Sequence, residues 1–202
     1  MNPSILRRRI IGLAGGALWL IAISGAFVIW SLLAIGTPWA KLVLAVTVAV
    51  IAAIVVINVV VLRMAMRLPK GINGQKSEKK KLRRRFVWIV GAELAAFAAI
   101  NIVAAAARQF ELIPLLILIV VGIHFFPLAR IFHVPRYYVT GLLFCAVPII
   151  TLIWIPKESV FGQVPAWYVV PNLGCGLVAS LSAVAGLFES WQSLSRSSSM
   201  PE

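Results

Sequence analysis

The sequence predicts an all-α polytopic membrane protein, a bundle of six transmembrane helices with both termini cytoplasmic. Three observations predict it. Of 202 residues, 61% are hydrophobic and only 12% are charged, about half the charged share of an ordinary soluble domain. The mean hydropathy is +0.99. The apolar residues fall in long continuous runs rather than in alternation, which points to helices and away from a β-barrel. The same numbers exclude a soluble globular enzyme, a disordered chain and a disulfide-rich secreted domain.

A helix needs about 20 apolar residues to cross roughly 30 Å of hydrocarbon. The first qualifying run, residues 10–35, follows Arg7-Arg8-Arg9 and so resembles the start of a signal peptide. A cleavable apolar region is about 7–15 residues long. This run continues through Phe27, Val28, Ile29 and Trp30 without a polar break, so a retained anchor is expected, long enough to tilt. The second run is 42–62. The third, 86–107, is rich in Ala, which suits close helix contact. The fourth is 112–132, the fifth 137–155 and the sixth 165–188. Pro127, Pro148 and Pro171 lie in or near the ends of the last three, where they free backbone carbonyls and favour kinks. Gly12 and Gly16 form a GxxxG, and Ser182 and Gly186 a second small-residue pair at the same spacing. Both permit close helix approach and are compatible with a homo-oligomer. Residues 1–192 thus read as one membrane domain with a basic cytoplasmic loop at 63–85. The Ser-rich segment 193–202 reads as a disordered tail. No internal repeat is visible.

Orientation follows from the distribution of Lys and Arg. With the N-terminus inside, the cytoplasmic segments hold Arg7, Arg8, Arg9, the basic run from Arg63 to Arg85, Arg130, Arg136 and Arg196. The outer segments hold only Lys41, Arg108 and Lys157. Aromatic anchors agree: Trp39, Trp154, Trp167 and Tyr168 fall at the outer boundary, and Trp88, Tyr137, Tyr138 and Trp191 at the inner one. The formal charge of +13 therefore reports topology. The basic loop also suits anionic lipid headgroups, at roughly 1 kcal/mol per basic residue. No aromatic residue is interleaved between Lys70 and Arg85, so no nucleic-acid partner is expected.

Glu93 is the most informative residue. It lies seven positions into the third run, about 10 Å deep at 1.5 Å per residue. A charge near the centre of a span costs on the order of 3 kcal/mol, so Glu93 is expected to face other helices, paired or protonated. His124, six residues before Arg130, falls at a similar depth on the fourth run, as do Asn58 and Thr140 on the second and fifth. These four predict a polar layer on the cytoplasmic side of the centre. Glu93, Phe97, Asn101, Ala104 and Arg108 share one helical stripe that should point inward, and Asn101 with Asn172 predicts a second layer in the outer half. These six polar residues are candidates for binding or for a proton relay. The alternative is a hydrogen-bonded cluster that fixes helix packing, worth about 0.6 kcal/mol per bond.

Catalytic residues are not expected. The chain has no Asp, no HExxH, no GxSxG and no Gly-rich phosphate loop opening a helix. His124 and His133 do not have metal-site spacing, and Cys145 and Cys175 form no CxxC, so they read as small buried hydrophobes. No metal and no cofactor is expected.

The segment GIHFFPLA (Gly122–Ala129), followed by YYVTG (Tyr137–Gly141), resembles a pattern in uncharacterised small multi-pass bacterial membrane proteins. The resemblance implies no activity. It implies that the fourth run, the turn carrying Arg130, His133 and Arg136, and the start of the fifth form one helical hairpin. Two functions are expected on these grounds. One is a small proton- or ion-coupled transporter or channel-like protein using the buried polar layer. The other is a structural or accessory membrane subunit that transports nothing.

Overall fold

The structure, a computed structural model, describes residues 3–67, 76–162 and 164–198. Six helices follow in chain order: α1 (Pro3–Ile35), α2 (Pro38–Arg67), α3 (Lys76–Ala107), α4 (Ile113–Phe132), α5 (Arg136–Trp154) and α6 (Ala166–Ser198). Each contains a stretch long and apolar enough to cross a membrane. A 3₁₀ turn, Phe110–Leu112, precedes α4. Between α5 and α6 the chain makes a small antiparallel ribbon that the sequence pattern did not signal. Its strands β1 (Val160–Phe161) and β2 (Val164–Pro165) pair Val160 with Pro165 and Phe161 with Val164.

Local chemistry sets the turns. Gly36, at φ +68°, ends α1 in the left-handed region, and Pro38 opens α2, where a missing N–H costs nothing. His133, at φ +54°, closes α4 with its N–H on the carbonyl of Ala129, and Pro135 precedes α5. Elsewhere the helices outrun the apolar segments. α2 continues to Arg67 and α3 begins at Lys76, so most of the expected 63–85 loop is helix, and only 68–75 lie outside the described residues. α6 runs to Ser198, so the expected disordered tail is helical over 193–198, while 199–202 lie outside the described residues. Lengthening a formed helix gains a hydrogen bond per residue without a new nucleus, and Lys, Arg and Leu are good helix formers.

α6 is the hub and packs on α1, α2, α4 and α5. Its buried stripe is made of small side chains, among them Cys175, Ala179, Ser182, Ala183 and Ser190. Leu118, Phe125 and Leu128 of α4, Leu20 of α1 and Phe144 of α5 close the core around it. α4 and α5 touch backbone to backbone: a Cβ on Gly141 would lie 2.6 Å from the carbonyl oxygen of Gly122. Pro148 lies inside α5 and cannot donate to the carbonyl of Phe144. The thiol of Cys175, 3.9 Å away on α6, takes that role weakly. Both cysteines are free, Cys175 buried and Cys145 half-buried.

Two expectations change. α3, for all its alanines, is the least covered helix; it packs chiefly on α4, and Ala104 is its only buried side chain among the described residues. Small side chains permit close approach but supply no partner. Tyr137 is not a boundary anchor either. Its ring is buried against Phe125, and its hydroxyl fills the space that a side chain on Gly16 would need.

Gly141→Val should lower the stability of the detergent-solubilised protein by about 1–3 kcal/mol, the usual cost of overpacking a tight contact. Gly91→Ala on α3, where an added Cβ meets nothing within 4 Å, should be neutral or stabilising. Thermal unfolding read by labelling of the Cys175 thiol compares the two; equal melting temperatures would refute the packing argument.

Candidate functional site

Ile89, Glu93, Phe97 and Ala104 turn toward the rest of the molecule because they recur at helical spacing on the side of α3 that meets α4. His124 lies beside Phe125 on α4, rotated out of the core toward α3. The result is a close approach of two titratable groups: Glu93 Oε2 lies 3.1 Å from His124 Nδ1, and the side chains are 17% and 11% exposed. Nδ1 has no aligned hydrogen bond, so the two groups meet without a directed bond and form an ion pair only when His124 carries its second proton.

Both residues line a cavity of about 670 Å³. Its remaining wall is largely apolar and comes from α1 (Gly15, Gly16, Trp19, Leu20), α3 (Phe86, Val90), α4 and the start of α5. A Cβ placed on Gly15 would meet nothing within 4 Å, so this part of α1 borders open space. At the end of the bundle that carries the chain termini, the cavity is bordered by His133 and Glu189. Glu189 Oε1 is 3.1 Å from Arg136 Nη1. The guanidinium packs where a side chain on Gly186 would stand, and its carbon lies 5.6 Å from the centroid of the Tyr137 ring. Gly16 and Gly186, each part of a small-residue pair in the sequence, are thus used within the chain to seat Tyr137 and Arg136.

The other expected site residues do not join Glu93 and His124. The Thr140 hydroxyl lies 2.9 Å from Ser182 Oγ and 3.1 Å from the carbonyl of Arg136, so it ties α5 to α6. Asn58 is fully buried on α2, one turn before Val61, which packs with Ile10 and Ala14 of α1. Neither of its amide atoms has a hydrogen-bond partner. The expected four-residue layer is therefore three separate features. Asn101 is exposed and spends its amide on the carbonyl of Phe97, one turn back in its own helix. At 100° per residue it stands about 80° from Glu93 around the axis, against about 20° for Ala104, and that rotation carries it out of the stripe. Asn172 is buried on α6 and borders a second cavity, about 560 Å³, with Trp30, Phe110 and Tyr168; Asn101 does not reach it.

Sequence reasoning missed Arg136, Glu189, Tyr137 and Trp19. Arg136 and Glu189 fell just outside the apolar runs, and opposite charges at the same ends of neighbouring helices were the available signal. Nothing in the sequence marks which face of α1 Trp19 occupies. Among the described residues no three His, Cys or Glu side chains gather to hold a metal ion. No protein-family model, no curated protein and no solved structure matches the chain.

Asn58→Leu should stabilise the protein by about 1–3 kcal/mol, because it removes a buried amide with no partner. Thr140→Val should cost only about 0.6 kcal/mol, the typical worth of a polar contact between helices in a bilayer. Urea or thermal unfolding in detergent measures both. A clear loss of stability in Asn58→Leu would mean that the amide is satisfied by a bound molecule.

Proposed function

We propose that the chain is a multi-pass protein of the cell membrane with both termini in the cytoplasm, and that it is a small proton- or ion-coupled transporter using the Glu93–His124 pair. One observation carries this reading: two titratable side chains 3.1 Å apart form part of the wall of a large cavity. A carboxylate in such apolar surroundings is costly when alone. Any movement that parts Glu93 from His124 leaves a charge that must be met by a proton or by a bound cation. That requirement links ligand, proton and helix position, which is the physical basis of coupling. The pair needs no catalytic residue and no cofactor.

The orientation rests on the basic residues at the ends of α2 and α3, where Arg63, Arg67, Arg84 and Arg85 are exposed. The same residues suit anionic headgroups as partners. A second reading, an accessory subunit, is favoured by the uncovered Ala-rich sides of α3, which offer a smooth surface to another helix or to a second copy of the chain. Under that reading the ion pair only fixes α3 to α4.

Proton flux into liposomes reconstituted with the protein discriminates between the two. The transporter reading expects flux above background in the wild type and at least a tenfold loss in Glu93→Gln, with His124→Gln also reduced. Equal, background flux in all three proteins would remove it. Single cysteines placed at residues 70–80 should react with an impermeant thiol reagent only after the cytoplasmic side is opened; labelling from outside would reverse the orientation.

A further inference from the structure

The cavity is lined against the charge of the chain as a whole. The protein carries 19 Lys and Arg and only six acidic residues. Yet two of those acids, Glu93 and Glu189, border the cavity, and among the described residues no Lys or Arg does. Glu189 is held by Arg136 at 3.1 Å. Glu93 has His124 as its one ion-pair partner among the described residues, and His124 sheds its charge when it loses its proton. His133, in the turn after α4, and Tyr137, at the start of α5, are the other titratable groups on this wall.

Aromatic rings make up much of the rest: Trp19 from α1, Phe86 from α3, Phe125 from α4 and Tyr137 from α5. Ring faces attract cations, and most strongly where water is excluded. A carboxylate set among rings is poor for a hard metal ion, which needs several oxygen ligands. It is well matched to an organic cation whose charge is spread and whose body is apolar. The volume, about 670 Å³, falls in the range of roughly 300–1,000 Å³ that small-molecule sites occupy.

The cavity has a side between α1 and α3. α3 leans on α4, and the cavity draws its walls from α1 and α3 without those two helices packing together to any extent. Trp19, 69% exposed, and Phe86 stand at that rim. A solute that partitions into a bilayer reaches such an opening from the side.

We propose that this cavity binds a lipophilic organic cation, with the positive centre at Glu93 in place of the His124 contact and the apolar body against Trp19, Phe86 and Phe125. The proposal rests on the reading of Glu93 as the functional group of the cavity and names the class of ligand it takes.

Equilibrium dialysis of the full-length protein in mild detergent tests this, with tetraphenylphosphonium as probe and tetraphenylborate as an anion of the same shape. Saturable tetraphenylphosphonium binding is expected, at least tenfold weaker in Glu93→Gln and absent in Gly15→Phe, whose ring fills the open space beside α1. Tetraphenylborate should show no saturable binding. Equal affinity for the two ions in the wild type would overturn the proposal. So would wild-type tetraphenylphosphonium affinity in Glu93→Gln, or undiminished binding in Gly15→Phe should Glu93→Gln fail to fold. Proton flux separates this from the coupling reading. Glu93-dependent flux without tetraphenylphosphonium binding sinks the ligand class alone, and Glu93-dependent binding with background flux sinks coupling alone.

Discussion

The structure depends on how closely its helix backbones can approach. In the bilayer proposed as its surroundings, lipid tails are as apolar as leucine, so burying apolar side chains against each other gains little, and dispersion between well-fitted surfaces has to hold the bundle. Small residues make that fit available. The stripe of Cys175, Ala179, Ser182, Ala183 and Ser190 lets α6 serve as the common contact for four helices. The facing glycines 122 and 141 bring α4 and α5 together until their backbones meet. Where a large or charged side chain must enter this framework, another glycine makes room, as Gly16 does for Tyr137 and Gly186 for Arg136.

Polar groups inside such a bundle divide by what they do with their hydrogen-bonding capacity. Thr140 and Ser182 satisfy each other across two helices. Ser24, Ser31, Thr151 and Ser190 return their hydroxyls to a carbonyl three or four residues back, and need no neighbour. Asn58, buried with its amide unpartnered, belongs to neither group, and Glu93 and His124 differ from all of these. They meet across a helix pair, at the edge of a cavity rather than in packed core, and their contact is not aligned as a hydrogen bond. A pair that serves only to pin helices has no use for an adjoining empty volume. That contrast is the reason to read function into Glu93 and not into Thr140, though the sequence placed both in one polar layer.

Legibility followed the range of the interaction. The existence of the helices and most of their limits follow from apolar run length. The α4–α5 hairpin, implied by the resemblance over Gly122–Ala129 and Tyr137–Gly141, is present as two packed helices. Glu93 and His124 could be matched because depth along a helix is counted from its end, and a short connection makes the neighbours antiparallel. Depth, however, says nothing of rotation. Thr140 and Asn58 share the level of Glu93 but face Ser182 and α1 instead, and Asn101 missed the inward face of α3 by its angle around the axis. The ribbon at Val160–Pro165 was too short to leave a periodic trace.

What the sequence by itself determined is the all-α class of the chain, the number and order of its long apolar helices, and the placing of a carboxylate in the middle of one of them. These depend on composition and on distance along the chain. What only the tertiary structure decided is which helix stands at the centre, which alanines go uncovered, and that Glu93 opens onto an aromatic cavity bordered by α1. Those depend on the rotation and lateral placement of each helix. They are set by the sum of many weak contacts between residues far apart in sequence, and no single stretch of the chain encodes that sum.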